Sequence, residues 1–194
     1  MPKAKERVFY SFHYKQDVMR VQNIRQMGVL EGNEPVKPND WEEIKKKGDD
    51  AVKKWIDEGI ARCSCVIVLI GAETANRKWV KYEIERAWNT KKGLMAIYIH
   101  NLSPINEFLA IKGLQGQNPL RSFWLRSSNI LDEQVLELYT VAPVKNPSEW
   151  DAYDEIHKNL DCWVQEAIDV RKKYARYTCV PTTAEKIFGK SMER

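Results

Sequence analysis

Glu83 is the residue of this sequence whose type and position first suggest chemistry. It lies within residues 77–88, a run with helical periodicity that follows the short apolar run at residues 65–71. At about 100° per residue, the core-facing side of that helix is marked by Val80, Ile84 and Ala87. Glu83 falls about 60° from this side, whereas Glu85 falls about 140° from it and faces water. The spacing therefore predicts a carboxylate, Glu83, at the rim of the core.

The residue types near Glu83 leave two interpretations open. On a helix surface Glu83 would pair with Arg86, a contact that stabilises a helix by about 0.3 kcal/mol. In a cleft, the same carboxylate would be a charged group available to a ligand. Trp79 is equally compatible with core packing and with a place facing the substrate. His13, which follows the first predicted strand, is either a loop histidine or a base.

Several classes of site are excluded by motifs that the sequence lacks. It has no phosphate-binding G-x-x-x-x-G-K-[ST] loop, no G-x-G-x-x-G turn and no G-x-S-x-G turn of a serine hydrolase. The polar residues after the first strand are not the Ser/Thr/Gly-rich turn of a flavodoxin, and the acidic pair of a response-regulator receiver is missing. The four cysteines fit no zinc spacing, so we expect no metal site.

Length and composition bound the class of protein. A chain of 194 residues with 30% charged residues fits one domain with a sizeable core. No apolar run approaches the roughly 20 residues of a membrane span, and the first residues lack the apolar stretch of a secretory signal. We therefore expect a cytoplasmic protein. The net charge is +4, and acidic and basic residues alternate along the helices, so we expect neither a nucleic acid nor a membrane as partner.

Segments typical of strands and of helices alternate along the chain. The strands are predicted at residues 7–12, 64–70, 93–100 and 135–141, with a short one at 29–30. The helices are predicted at residues 16–27, 49–60, 79–88 and 149–174. Residues 101–132 have no clear pattern, and the apolar run at 123–125 is too short to assign. We expect the residues after 177 to form a loosely held tail.

This alternation predicts an α/β fold: a doubly wound, mainly parallel five-stranded sheet of the flavodoxin-like kind, with helices on both faces. In such sheets, ligands bind outside the carboxyl ends of the strands. We therefore expect the end of the first strand, the loop at residues 31–40 and the turn at residues 70–71 to converge beside Glu83. The residues expected to contact a substrate there are Ser11, Phe12, His13, Asn39, Asp40 and Trp79.

Short motifs in a fixed order resemble those of Toll/interleukin-1 receptor (TIR) domains. Val8-Phe9-Tyr10-Ser11-Phe12 is similar to the first-strand box, residues 60–71 resemble the family's "I..S...V.LIS" strand, and Trp79-Val80-Lys81-Tyr82-Glu83 matches its W-x-x-x-E helix motif. The loop at residues 31–40 lies where TIR domains carry the BB loop. With residues 98–101 and 139–150, the order is similar to the TIR-like branch of bacterial Thoeris antiphage systems.

The resemblance implies a TIR-like domain at residues 1–177, followed by a tail at 178–194, and it implies an enzyme. Enzymatic TIR domains cleave the bond between nicotinamide and ribose in NAD+, and Thoeris proteins make a cyclic ADP-ribose signal for a partner effector. Carried over to this chain, Glu83 of the W-x-x-x-E motif is the catalytic carboxylate. It would stabilise the positive charge that develops at C1′. NAD+ is then the substrate, and no cofactor is expected.

Two other functions remain open at this stage. One is a non-catalytic TIR-type interaction module that assembles with other TIR domains, including copies of itself. The other is a nucleotide-processing glycosyltransferase on a related fold. The glutamate of the W-x-x-x-E motif favours the NAD+-cleaving enzyme, because adaptor TIR domains need not keep it. We expect such an enzyme to stay latent until an infection cue arrives.

Overall fold

The central sheet of the protein has five parallel strands. The computed structural model describes residues 5–32, 43–44, 46–104, 113–129 and 134–182. Its strands are β1 (Arg7–Ser11), β2 (Glu31–Gly32), β3 (Cys65–Ile70), β4 (Gly93–Tyr98), β5 (Phe123–Ser127), β6 (Val135–Glu137), β7 (Val144–Lys145) and β8 (Tyr177–Pro181). The central sheet has the spatial order β2-β1-β3-β4-β7. This order confirms the predicted flavodoxin-like, doubly wound α/β fold.

Helices cover both faces of this sheet, as predicted. They are α1 (Tyr14–Gln26), α2 (Asp49–Ala61), α3 (Lys78–Asn89), the single turn α4 (Leu138–Val141) and α5 (Ala152–Lys173), with 3₁₀ turns at Thr74–Asn76 and Pro119–Ser122. The apolar sides of α2 and α3 form one core with the sheet, and those of α1 and α5 form a second core on the opposite face. Among the described helices, none combines the length and the apolar character needed to cross a membrane.

Strand β3 is the centre of the sheet, and its sequence explains why. All six of its residues are buried, and it pairs with β1 on one side and with β4 on the other. Because helices pack on both faces of a parallel sheet, a central strand needs apolar side chains at every position instead of alternate ones. The uninterrupted run Cys65-Val66-Ile67-Val68-Leu69-Ile70 meets this requirement, and it places Gly71 at the carboxyl end of the sheet.

Two of the predicted strands are wrong in place or in partner. The second strand is β2 at Glu31–Gly32, instead of residues 29–30. Residues 135–141 do not form the last parallel strand: they divide into β6 and the helical turn α4, and the fifth parallel strand is β7. Strands of two residues, such as β2 and β7, are too short to show a period, so the sequence pattern could not locate them.

A second, antiparallel sheet has the order β6-β5-β8. The run at residues 123–125, too short to assign from the sequence, belongs to its central strand β5. The prediction that the tail begins at residue 178 is also wrong, because β8 pairs with β5 over Tyr177–Pro181. The indole N–H of Trp88 donates to the carbonyl of Tyr177 at 2.9 Å. This sheet therefore packs against the C-terminal end of α3.

Asn89 joins α3 to β8 through two hydrogen bonds to one residue. Its amide nitrogen donates to the carbonyl of Cys179 at 3.0 Å, and its Oδ1 accepts from the backbone N–H of Cys179 at 2.8 Å. We expect Asn89→Ala to lower the free energy of unfolding by about 1–2 kcal/mol, because both backbone groups lose their partner. Urea unfolding measures the loss, and amide hydrogen exchange at Cys179 should become faster. Unchanged stability with unchanged exchange would contradict this role.

Candidate active site

Strand β1 and helix α3 meet at Ser11 and Glu83. Ser11 is the last residue of β1, and it lies on the same side of the sheet as Phe9 because strand residues alternate. This is the side that α2 and α3 cover. The hydroxyl of Ser11 donates a hydrogen bond to Oε2 of Glu83 at 2.5 Å. Ser11 is 1% exposed and Glu83 is 7% exposed. The carboxyl group is therefore enclosed between α3 and the carboxyl end of the central sheet.

Burial controls the ionisation of Glu83. The helical spacing predicts a place at the rim of the core, whereas the structure buries the side chain more deeply. Its removal from water raises the pKa of Glu83 from the ordinary 4.5 to about 8, and the Ser11 hydrogen bond acts in the opposite direction by favouring the charged form. In the free protein at neutral pH the side chain is therefore mostly protonated. A cation bound beside it would favour the carboxylate.

The stability of the protein should fall as Glu83 is forced to ionise. Because its folded-state pKa lies above the unfolded value, the contribution of the protonated group is complete below pH 4.5 and is lost as the pH rises through about 8. The loss is on the order of 5 kcal/mol. Glu83→Gln does not titrate, so we expect its unfolding free energy relative to the wild type to increase from about pH 5 to about pH 9. Urea unfolding of both proteins measures this; a difference independent of pH would contradict it.

The turn after β3 holds α1 against the carboxyl end of the sheet. The backbone N–H of Gly71 donates to Oγ1 of Thr74 at 3.0 Å, and the Thr74 hydroxyl donates to the carbonyl of Leu69 at 3.3 Å. A Cβ at Gly71 would overlap the carboxyl group of Asp17, and one at Gly116 would overlap the carbonyl of Gly71. Glycine is required at position 71 because any side chain there would displace Asp17.

Asp17 is a buried acid that sequence interpretation missed. The sequence places it at the start of the helix predicted at residues 16–27 but does not mark it as buried, whereas the structure leaves it only 4% exposed in the first turn of α1. Its Oδ2 has no hydrogen-bond partner among the described residues. Burial raises the pKa of Asp17 to about 6, and the positive charge of Arg20 lowers it by a smaller amount. The signal was available, because Asp17, Val21 and Ile24 follow the i, i+4, i+7 spacing of a buried helix side.

His13 connects the loop after β1 with the loop after β3. Its Nδ1 lies 3.9 Å from Oε2 of Glu73, which also forms an ion pair with Arg77 at the start of α3. Partial burial lowers the pKa of His13, and the positive charge of Arg77 acts in the same direction. The imidazole is therefore neutral near pH 7. It lies at the same edge of the sheet as Ser11, two residues further along the chain.

The remaining predicted contact residues have separate surroundings. Phe12 is half-buried and packs with the core on the side of α1 and α5, so it lies across the strand from Ser11. Trp79 is half-buried against the other core, and its ring contacts the edge of the Tyr82 ring with centroids 6.2 Å apart. Asn39 and Asp40 lie outside the described residues. The structure thus joins Ser11 to Glu83 directly and brings His13 to the same edge.

The chemistry open to the Ser11–Glu83 pair follows from the enclosed carboxyl group of Glu83. Once ionised, Glu83 can stabilise a positive charge in surroundings where water screens it little, and its oxygens can accept hydrogen bonds from ligand hydroxyls. Among the described residues, the side chain that donates a hydrogen bond to it is that of Ser11. A reaction that builds up positive charge and needs no proton donor would fit this site.

Comparison with known proteins places this site within the part of the chain that a family model matches. The family model described as "Thoeris protein ThsB, TIR-like domain" matches residues 9–104, a range that contains Ser11, His13 and Glu83. The chain is also 35% identical over 157 residues to a protein of Bacillus cereus (strain MSX-D12) named "Putative cyclic ADP-D-ribose synthase ThsB1". That alignment covers 78% of this chain and 77% of the relative.

Proposed function

The chain belongs to the TIR-like family of Thoeris ThsB proteins, and from this premise we propose that it cleaves NAD+ and makes a cyclic ADP-ribose-type signal. The relative from Bacillus cereus is named for the synthesis of cyclic ADP-D-ribose, which supports the same product class here. The observation that carries the proposal is the enclosed carboxyl group of Glu83, held by Ser11 at the carboxyl end of the sheet.

In the proposed reaction, the bond between C1′ of the ribose and the nicotinamide nitrogen breaks, and its electron pair leaves with nicotinamide. Nicotinamide is then a neutral molecule, so no acid is needed to protonate it. The positive charge moves to C1′ and the ribose ring oxygen, where the Glu83 carboxylate stabilises it. A nucleophilic atom of the same ADP-ribose then bonds to C1′ and closes the ring, and it releases to the solvent any proton that it carried. Water in its place would give ADP-ribose.

The substrate itself favours the ionised form of Glu83. The nicotinamide ring of NAD+ carries a positive charge, and an opposite charge beside a buried carboxyl group lowers its pKa. The pKa of about 8 in the free protein would therefore fall when NAD+ binds. Ser11 supports the same change, because its hydroxyl donates to the carboxylate oxygen. In this proposal, Glu83 ionises when the cationic nicotinamide ring of NAD+ binds beside it.

We further propose that the product is a diffusible signal for a partner effector protein, formed when infection triggers the enzyme. A small cyclic nucleotide can leave the site and act at a distance, which agrees with a role as messenger. Self-association through TIR surfaces would be one way to link the trigger to activity, and it stays a prediction.

The proposal is tested by mass spectrometry of small molecules from phage-infected cells, with and without the chain. We expect free nicotinamide together with a product that has the mass of ADP-ribose less one water. Infected cells without the chain are the control for the phage's own chemistry. If cells that express the chain resist the phage while neither molecule accumulates, the enzyme hypothesis is wrong, and a non-catalytic TIR-type interaction module takes its place.

A further inference from the structure

A polar pocket of about 500 Å³ lies beside Lys81 of α3. It is bounded by α3, the end of β4, the 3₁₀ turn Pro119–Ser122 and the residue that follows β8. Five of its lining residues bear on the argument: Lys81, Tyr98, Asn118, Arg121 and Ser122. A cavity of this volume is in the range that holds small-molecule ligands.

The pocket is separate from the site around Glu83. Lys81 and Glu83 are two residues apart on α3, which places them about 200° apart around the helix axis. Glu83 is buried against β1, whereas Lys81 is exposed and borders the pocket. Ser11, His13 and Glu83 are not among the lining residues of this pocket. A ligand there would contact a different surface of the domain.

The charged groups that line the pocket are all cationic. Lys81 comes from α3 and Arg121 from the 3₁₀ turn, and no aspartate or glutamate is found among the described residues that line the pocket. Lys81 has no ion pair with another described residue. The guanidinium of Arg121 lies 4.2 Å from the centroid of the Tyr139 ring, a contact that orients the group without neutralising it. Glu137 lies near Tyr139, outside the pocket lining.

The neutral side chains of the pocket add hydrogen-bond donors. Asn118 is 8% exposed, and its Oδ1 already accepts from the backbone N–H of Leu120 at 3.0 Å, so the polar atom left for a ligand is the amide nitrogen. Tyr98 and Ser122 each line the pocket with a hydroxyl group. Two cations and several donors around one space match a ligand that carries several negatively charged oxygens.

We propose that this pocket binds a phosphate-bearing small molecule at a site distinct from Glu83. Lys81 and Arg121 line the pocket from two different elements, α3 and the 3₁₀ turn, and each side chain would form charge-assisted hydrogen bonds to phosphate oxygens. Asn118, held by its bond to Leu120, would donate to the same anion. Binding in this pocket does not require NAD+ cleavage at Glu83. The two proposals can therefore be tested independently.

The test uses inorganic pyrophosphate as the probe, titrated into the full chain by isothermal calorimetry. We expect binding by the wild type, and a decrease in affinity of at least about tenfold for Lys81→Ala and for Arg121→Ala, since each loses one charge-assisted contact. Lys54→Ala is the matched control, because Lys54 is an exposed lysine on α2 that does not line the pocket. Melting temperatures of the variants establish that they fold.

Glu83→Gln separates this pocket from the proposed active site. If the pocket is a distinct site, this variant binds pyrophosphate with the affinity of the wild type. A changed affinity of Glu83→Gln for pyrophosphate, whether stronger or weaker, would overturn the proposal by assigning the anion to the active site. The proposal is also wrong if the wild type binds no pyrophosphate, or if folded Lys81→Ala and Arg121→Ala proteins bind it as tightly as the Lys54→Ala protein.

Discussion

Glu83→Gln should lower the rate of NAD+ cleavage by about 10² to 10³ or more while the protein stays folded. This is the range for the removal of one preorganised electrostatic partner of a transition state. Glutamine keeps the size of the side chain and can still accept the Ser11 hydrogen bond, but it cannot carry the negative charge that opposes the charge at C1′. The measurement is the amount of nicotinamide and cyclic product in infected cells, compared with the melting temperature of the purified protein.

Glu85→Gln is the matched control for this experiment. Glu85 lies on the same helix, two residues further on; the helical spacing predicts that it faces water, whereas the structure leaves it half-buried on the side of α3 away from Ser11. The same chemical change there should alter the stability by less than about 0.5 kcal/mol and leave the signal intact. If folded Glu83→Gln makes as much signal as the wild type, Glu83 is not the catalytic carboxylate. If Glu85→Gln abolishes the signal instead, the catalytic glutamate is Glu85.

The pH dependence of kcat/KM for NAD+ should show the ionisation of Glu83 in the free enzyme. With a pKa of about 8, the ionised fraction rises about tenfold per pH unit below that value and levels off above it. We therefore expect kcat/KM to be about 100-fold lower at pH 6 than on the plateau near pH 9. The rate is measured in extracts of infected cells buffered across this range, with the Glu83→Gln extract subtracted as background.

Ser11→Ala tests the assignment of this pH dependence to Glu83. The Ser11 hydroxyl stabilises the charged carboxylate, so its removal should raise the pKa of Glu83 further and move the rise in kcat/KM to higher pH. A group elsewhere in the protein would not respond to this change. A profile that is flat between pH 6 and pH 9, or a rise that Ser11→Ala leaves in place, would contradict the role of the Ser11–Glu83 pair.

The sequence by itself determined the features that depend on local composition and period. The apolar run at β3 predicts a strand buried on both faces, because a strand with one face in water would alternate apolar and polar residues. The spacing of Val80, Ile84 and Ala87 predicts the buried side of α3, and the structure buries all three. From these two elements follow the parallel sheet and the place of Glu83 beside it. Helices α1 and α5 begin and end within three residues of the predicted limits.

The tertiary structure decided what depends on contacts between distant parts of the chain. Residues 177–181 include the strand-favouring Tyr177, Thr178 and Val180, but so short a run does not identify a partner, and they form a strand because β5 pairs with them. The hydrogen bond between Ser11 and Glu83 joins residues 72 positions apart. The burial that raises the pKa of Glu83 arises because α3 packs against the sheet at this contact. Asp17 is enclosed because Gly71 has no side chain that would displace the Asp17 carboxyl group. Gly116, which also lacks a side chain, packs closely against the carbonyl of Gly71. Desolvation is a property of everything that surrounds a group, so a pattern along the chain cannot give it, whereas the packed fold can.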